Sequence, residues 1–154
     1  MLKHARHGGS SRIVERFHSL RWLYWAPVAL YAALIFFLSS LSDTDVYVPP
    51  LSIPHGDKVL HALLYGPLAI LTYRAFRSAG STWSATHAMF LAVAASTAYG
   101  MTDEFHQAFV PMRDANVWDL LADGIGSVTG AWCWAHVEPQ RRSSEDFSSP
   151  RNRV

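Results

Sequence analysis

Residues 22–41, WLYWAPVALYAALIFFLSSL, run for twenty positions without a charged side chain. At about 1.5 Å per helical residue, such a run reaches roughly 30 Å, the thickness of a bilayer's hydrocarbon core. A helix apolar on every side belongs in lipid or deep in a large protein, so this stretch constrains the fold more than any other. Three further segments share its character: 59–76, VLHALLYGPLAILTYRAF; 84–101, SATHAMFLAVAASTAYGM; and 117–136, VWDLLADGIGSVTGAWCWAH. Gly66-Pro67 in the second predicts a kink. Only 16% of the residues are charged, against about 25% in soluble domains. The expected fold class is all-α, an integral membrane four-helix bundle, in a chain whose 154 residues suit a single domain.

The first segment reads as a retained anchor. Its apolar run exceeds the roughly 7–15 residues of a secretory leader, and SSLSDTD after it makes a poor cleavage site. The basic residues then orient the bundle. Lys3, Arg6, Arg12, Arg16 and Arg21 precede the first segment; Arg74 and Arg77 fall by the second connection; Arg141, Arg142, Arg151 and Arg153 close the chain. That puts eleven of the thirteen Lys and Arg residues on one side, leaving Lys58 and Arg113 opposite. Both termini are therefore expected in the cytoplasm, with the chain multi-pass in its membrane.

The predicted domains are a partly disordered cytoplasmic tail over 1–21, a transmembrane domain over 22–136 and a disordered cytoplasmic tail over 137–154. VERFHSLRW is a candidate short interfacial helix, and His4, His7 and His18 are expected to be solvated. The first outer loop, SDTDVYVPPLSIPHGDK, has three prolines and is expected to lie extended over the bundle. Asp43, Asp45 and His55 are expected to be solvated flanks. Trp22, Trp25, Trp83, Trp132 and Trp134 suit an aromatic belt, chiefly on the inner side. The single Cys133 excludes an intramolecular disulfide or a thiolate cluster and is expected to be buried as a small hydrophobe. A net charge of +1 gives no sign of a nucleic-acid partner.

With four spans and inward termini, the second segment starts at the outer face, the third ends there and the fourth starts there. Asp57, Lys58 and His61, then Asp103, Glu104, His106 and Gln107, then Arg113, Asp119 and Asp123 converge on that side. Asp57 and His61 are four residues apart, as are Asp103 and Gln107, so each pair shares a helix face. Tyr65 lies one turn below His61. Asp119, Asp123, Gly126 and Gly130 form one stripe, acidic outside and ending in GSVTG, a pattern that permits close helix packing. Asp123 should lie about 6 Å deeper than Asp119. A carboxylate at that depth is costly unless it faces the bundle interior.

These residues in order resemble the VanZ-like family of small bacterial membrane proteins. The likeness covers roughly residues 25–135 and rests on FFLSS, DKVLH with Tyr65 and Gly66, DEFHQAFVPMR and VWDLLADGIGSVTG. Met112 stands where the family usually has glycine, and Asp123 where many members have asparagine. The resemblance implies importance for Asp57, Lys58, His61, Asp103, Glu104, Gln107, Arg113, Asp119 and Asp123. It also implies a link to teicoplanin resistance and assigns no chemistry.

Three functions fit this pattern. An outer-face enzyme acting on a cell-envelope lipid or peptidoglycan-related molecule would use Asp103, Glu104, His61, Asp119 and Asp123 for acid–base chemistry. Asp57, Lys58, Gln107 and Arg113 would bind the ligand, Arg113 bidentately to phosphate or carboxylate. A non-enzymatic binding protein, or a structural bundle clamped by ion pairs, would use the same charges. A proton-coupled transporter would need a homodimer, formed through the GSVTG face. No H-E-x-x-H or comparable metal motif occurs, so no cofactor is expected; a divalent cation held by the carboxylates with His61 is the variant. Ser96 and Ser127 lack any evident triad. The partners expected are the lipid bilayer and an envelope ligand.

Overall fold

The computed structural model describes residues 8–41, 54–78 and 84–137, with side chains from residue 22 onward. The first outer loop with Asp43 and Asp45, Trp83, the histidines of the first tail and the whole second tail beyond Val137 lie outside the described side chains. Four helices follow in order: α1 Gly8–Ser39, α2 Gly56–Ser78, α3 Ala85–Gln107 and α4 Val117–Val137. Among the described residues there is no strand, so the fold is all-α.

Local chemistry sets the helix ends. Ser84 caps α3, its hydroxyl accepting from the His87 backbone N–H at 3.2 Å. Asn116 does the same for α4, its side-chain oxygen accepting from the Trp118 N–H at 3.0 Å. α2 carries Asp57 in its first turn and Arg77 in its last, the arrangement that suits the helix dipole. Two boundaries depart from expectation. α1 starts at Gly8, so VERFHSLRW continues into the apolar run as one helix and much of the expected tail is helical; after Gly9 no glycine or proline interrupts it until Pro27. α2 runs unbroken through Pro67 to Ser78, which places Arg74 and Arg77 in its final turns rather than in a connection.

α2 is the hub. It packs most extensively on α4, then on α3 and α1, whereas α1 barely meets α3. The α2–α4 contact depends on small residues. A Cβ on Gly126 would strike the Ala62 backbone carbonyl, and one on Gly130 that of Gly66. The GSVTG stripe is thus used inside the chain, and a dimer would need another surface. Two small apolar cores flank α2, one of Ile35, Tyr65 and Leu68, the other of Tyr73, Ala88 and Ala92.

The interior is small and polar while the exterior is large and apolar. Buried polar groups include His61, Ser96, Asp103, Glu104, Gln107, Asp119, Asp123 and Ser127. Leu30, Phe37, Leu63, Phe90, Ile125 and Trp132 all face outward. The segment Trp22–Ser39 of α1 and the whole of α2 are long and apolar enough to cross a membrane. Cys133 follows the same inversion. Expected to be buried, it is exposed, because an apolar run in this bundle does not imply an inward position.

Candidate functional site

The start of α2, the end of α3 and the start of α4 meet at one end of the bundle. α2 contributes Asp57, Lys58 and His61, α3 contributes Asp103, Glu104 and Gln107, and α4 contributes Asp119 and Asp123. Beginning α2 at Gly56 puts Asp57 and His61 on one face, and carrying α3 to Gln107 does the same for Asp103 and Gln107.

At the rim, the Lys58 ammonium donates to Asp57 Oδ2 at 2.8 Å and to Asp119 Oδ1 at 3.0 Å, joining α2 to α4. One turn deeper, His61 Nδ1 lies 2.9 Å from Asp123 Oδ1 and 3.9 Å from Glu104 Oε1. An ionised carboxylate only accepts, so the ring N–H donates to Asp123. Asp123 has no exposed surface at all. Gly100 of α3 makes room for it, since a Cβ there would collide with Asp123 Oδ2.

Each acid is held on one side and open on the other. The Asn116 backbone N–H donates to Glu104 Oε2 at 2.7 Å, while Oε1 has no hydrogen-bond partner. Gln107 donates to Asp103 Oδ2 at 3.0 Å, and Asp103 Oδ1 has none. Asp123 Oδ2 is also buried without a partner. Buried polar atoms are normally satisfied, and here Glu104 Oε1, Asp103 Oδ1 and Asp123 Oδ2 are left open.

Beside the cluster is a cavity of about 50 Å³ whose wall is largely apolar, from Ile35, Leu38, Leu60, Leu64 and Tyr65, with His61, Asp103, Gln107, Arg113 and Ser39 adding polar groups. Arg113 enters its wall from the loop before α4 and donates from Nε to the Leu41 carbonyl at 3.2 Å. The preceding Met112 has φ +64°, the left-handed conformation that glycine adopts without strain. That accounts for glycine's being usual at this point in the similar family.

Asp57, Lys58, His61, Asp103, Glu104, Gln107, Arg113, Asp119 and Asp123 therefore lie at this end, whereas Gly126 and Gly130 pack α4 against Ala62 and Gly66 of α2. His106 turns away to pack on Phe36 of α1, ring centroids 4.4 Å apart. His55, also with positive φ, is exposed as expected. Asn116 and Gly100 escaped the sequence reading. Asn116 acts through its backbone, which no side-chain pattern reveals; the signal for Gly100 was an isolated glycine inside a helical stretch. Ser96 and Ser127 are fully buried, and neither hydroxyl has a hydrogen-bond partner.

The family model described as VanZ/LLP1 matches residues 10–138. No curated protein and no solved structure gives a significant match. The matched stretch runs from the start of α1 to the end of α4 and takes in every residue of the buried cluster. On that match, the chain belongs to the VanZ/LLP1 family.

Proposed function

We propose that the chain is a multi-pass protein of the bacterial cytoplasmic membrane with both termini inside. Its acid-rich site, at the outer face, engages the polar end of a cell-envelope lipid or peptidoglycan-related molecule and so alters susceptibility to glycopeptides such as teicoplanin. The apolar exterior, the two helices of membrane-crossing length and the asymmetry of basic residues support the placement.

The cavity beside His61 carries the reading of the site. Its volume of about 50 Å³ admits one or two waters, each taking about 30 Å³, or a single ligand hydroxyl or phosphate oxygen. A headgroup would remain outside, against Lys58 and Arg113, with only its reacting end inside. Asp123 orients the imidazole through Nδ1. The opposite ring nitrogen accepts a proton from a water or hydroxyl in the cavity, and the resulting imidazolium is stabilised by Asp123 and Glu104. Lys58, bridging Asp57 and Asp119, favours a second reading in which the rim is a charge clamp between helices.

The test is incubation of the purified protein in nanodiscs with a labelled peptidoglycan-precursor lipid. Saturable binding with product, both lost in Asp103→Asn, is the expected enzymatic result. Saturable binding without product would make this a binding protein. Flux driven by a pH gradient in liposomes would make it a transporter. No binding of any envelope lipid would end this reading.

A further inference from the structure

We infer that His61, Glu104 and Asp123 hold a single divalent transition-metal ion of the zinc–manganese class. The three side chains come from three helices, and one ligand atom from each lies within 4.8 Å of the other two. Zinc bonds of about 2.0–2.2 Å require tetrahedral ligand atoms roughly 3.4 Å apart. The separations of 2.9 Å from His61 Nδ1 to Asp123 Oδ1 and 3.9 Å to Glu104 Oε1 bracket that value.

A second observation points to a cation. Glu104 Oε1 is buried without a hydrogen-bond partner and faces the imidazole. The Asn116 N–H takes the other oxygen, Oε2, and thereby turns Oε1 toward His61. That is the outer-shell support a metal-binding carboxylate needs. Charge points the same way. Glu104 and Asp123, with Asp103 beside them, bring carboxylates into a buried site, Lys58 is engaged by Asp57 and Asp119, and a dipositive ion offsets most of their charge.

The donor set indicates the metal. One imidazole nitrogen with two carboxylate oxygens suits zinc, manganese or ferrous iron better than calcium, which takes six to eight oxygens. Three protein ligands leave coordination positions for water or a ligand oxygen. Metal and proton compete for Nδ1, so the metal-bound protein no longer has the His61–Asp123 hydrogen bond. The inference concerns the same site but replaces the proton transfer to His61 in the envelope-ligand reading, because an imidazole bound through Nδ1 keeps its proton on Nε2; it is tested without any such ligand.

Full-length protein in detergent is stripped with a chelator and titrated with Zn²⁺, Mn²⁺ and Co²⁺. Bound metal is counted by mass spectrometry, and the cobalt ligand-field spectrum is recorded. One ion per chain is expected. Glu104→Gln and Asp123→Asn should weaken binding by about 100-fold or more, since even outer-shell changes cost ~10–100-fold, and Asp114→Asn in the exposed loop should bind as wild type. Folding of each variant is followed by circular dichroism. Glu104→Asp keeps the charge but shortens the reach, and should shift the cobalt spectrum. No stoichiometric metal in the wild type would overturn the site. So would unchanged affinity in folded Glu104→Gln and Asp123→Asn, or an unchanged cobalt spectrum in Glu104→Asp.

Discussion

Asp119 and Asp103 are both buried acids one helix apart, yet their removal should have opposite effects. Asp119 is bound to Lys58 across the α2–α4 contact. Asp119→Asn leaves the ammonium with Asp57 alone and should cost about 1–2 kcal/mol, between the values for exposed and fully buried pairs. Asp103 instead adds negative charge beside Glu104 and Asp123, and an asparagine there can still accept from Gln107. Asp103→Asn should therefore leave stability unchanged or raise it by about 1 kcal/mol, as expected where acids are crowded for function. Unfolding in detergent separates the two, and a large loss in both would return the whole cluster to a structural role. Met112→Gly should gain up to about 1 kcal/mol by relieving a left-handed backbone, less the entropy glycine loses on folding. Helix spacing was enough to align Asp57 with His61 and Asp103 with Gln107. It did not tell that Glu104, rather than Asp103, would face His61 at 3.9 Å, because periodicity says nothing of how a helix is rotated against its neighbours. For the same reason His106, though in the expected convergence, turned to Phe36.

At the scale of elements, α2 and α4 are held at a distance that only glycine allows. Gly126→Ala and Gly130→Ala each drive a methyl group into a backbone carbonyl, of Ala62 and Gly66 respectively. Since backbone cannot swing aside as a side chain does, each should cost about 2–3 kcal/mol, the upper range for overpacking. Gly124 is the internal control. Its Cβ would lie 3.9 Å from Thr97 and touch nothing else, so Gly124→Ala should be neutral or stabilising by up to ~1 kcal/mol through helix propensity. Equal losses at all three positions in thermal unfolding would show that helicity, not the α2–α4 distance, is being perturbed. The small-residue pattern was legible in GSVTG. Its partner was not, because the same spacing serves a second chain or a neighbouring helix equally well, although Ala62 and Gly66 in α2 carry the matching four-residue spacing. The starts of α3 and α4 fell where the apolar segments begin, beside Ser84 and Asn116, whose capping the segment pattern did not show. The start of α1 was hidden because its polar residues look like a tail until they are joined to an uninterrupted helix.

Taken whole, the molecule is polarised along its axis. Among the described residues, every buried acid lies at the end where α2 and α4 begin. At the opposite end Arg74 sits 5.2 Å from the Trp134 ring, and Trp25 meets Phe76 edge-on at 5.2 Å. Arginine is what a cytoplasmic interface selects, aromatic side chains suit either interface, and an apolar flank between the two ends suits a bilayer. The proposed orientation follows from this polarity and can be measured directly. In a Cys133→Ser background, Asp114→Cys would put a thiol in the exposed loop beside the acids, and Ser78→Cys one at the exposed end of α2. A membrane-impermeant thiol reagent applied to intact spheroplasts should label the first and reach the second only after permeabilisation. The reverse pattern would turn the buried cluster toward the cytoplasm and exclude an envelope ligand approaching from outside. Labelling of both without permeabilisation would place both ends of the bundle on one side and end the spanning arrangement itself.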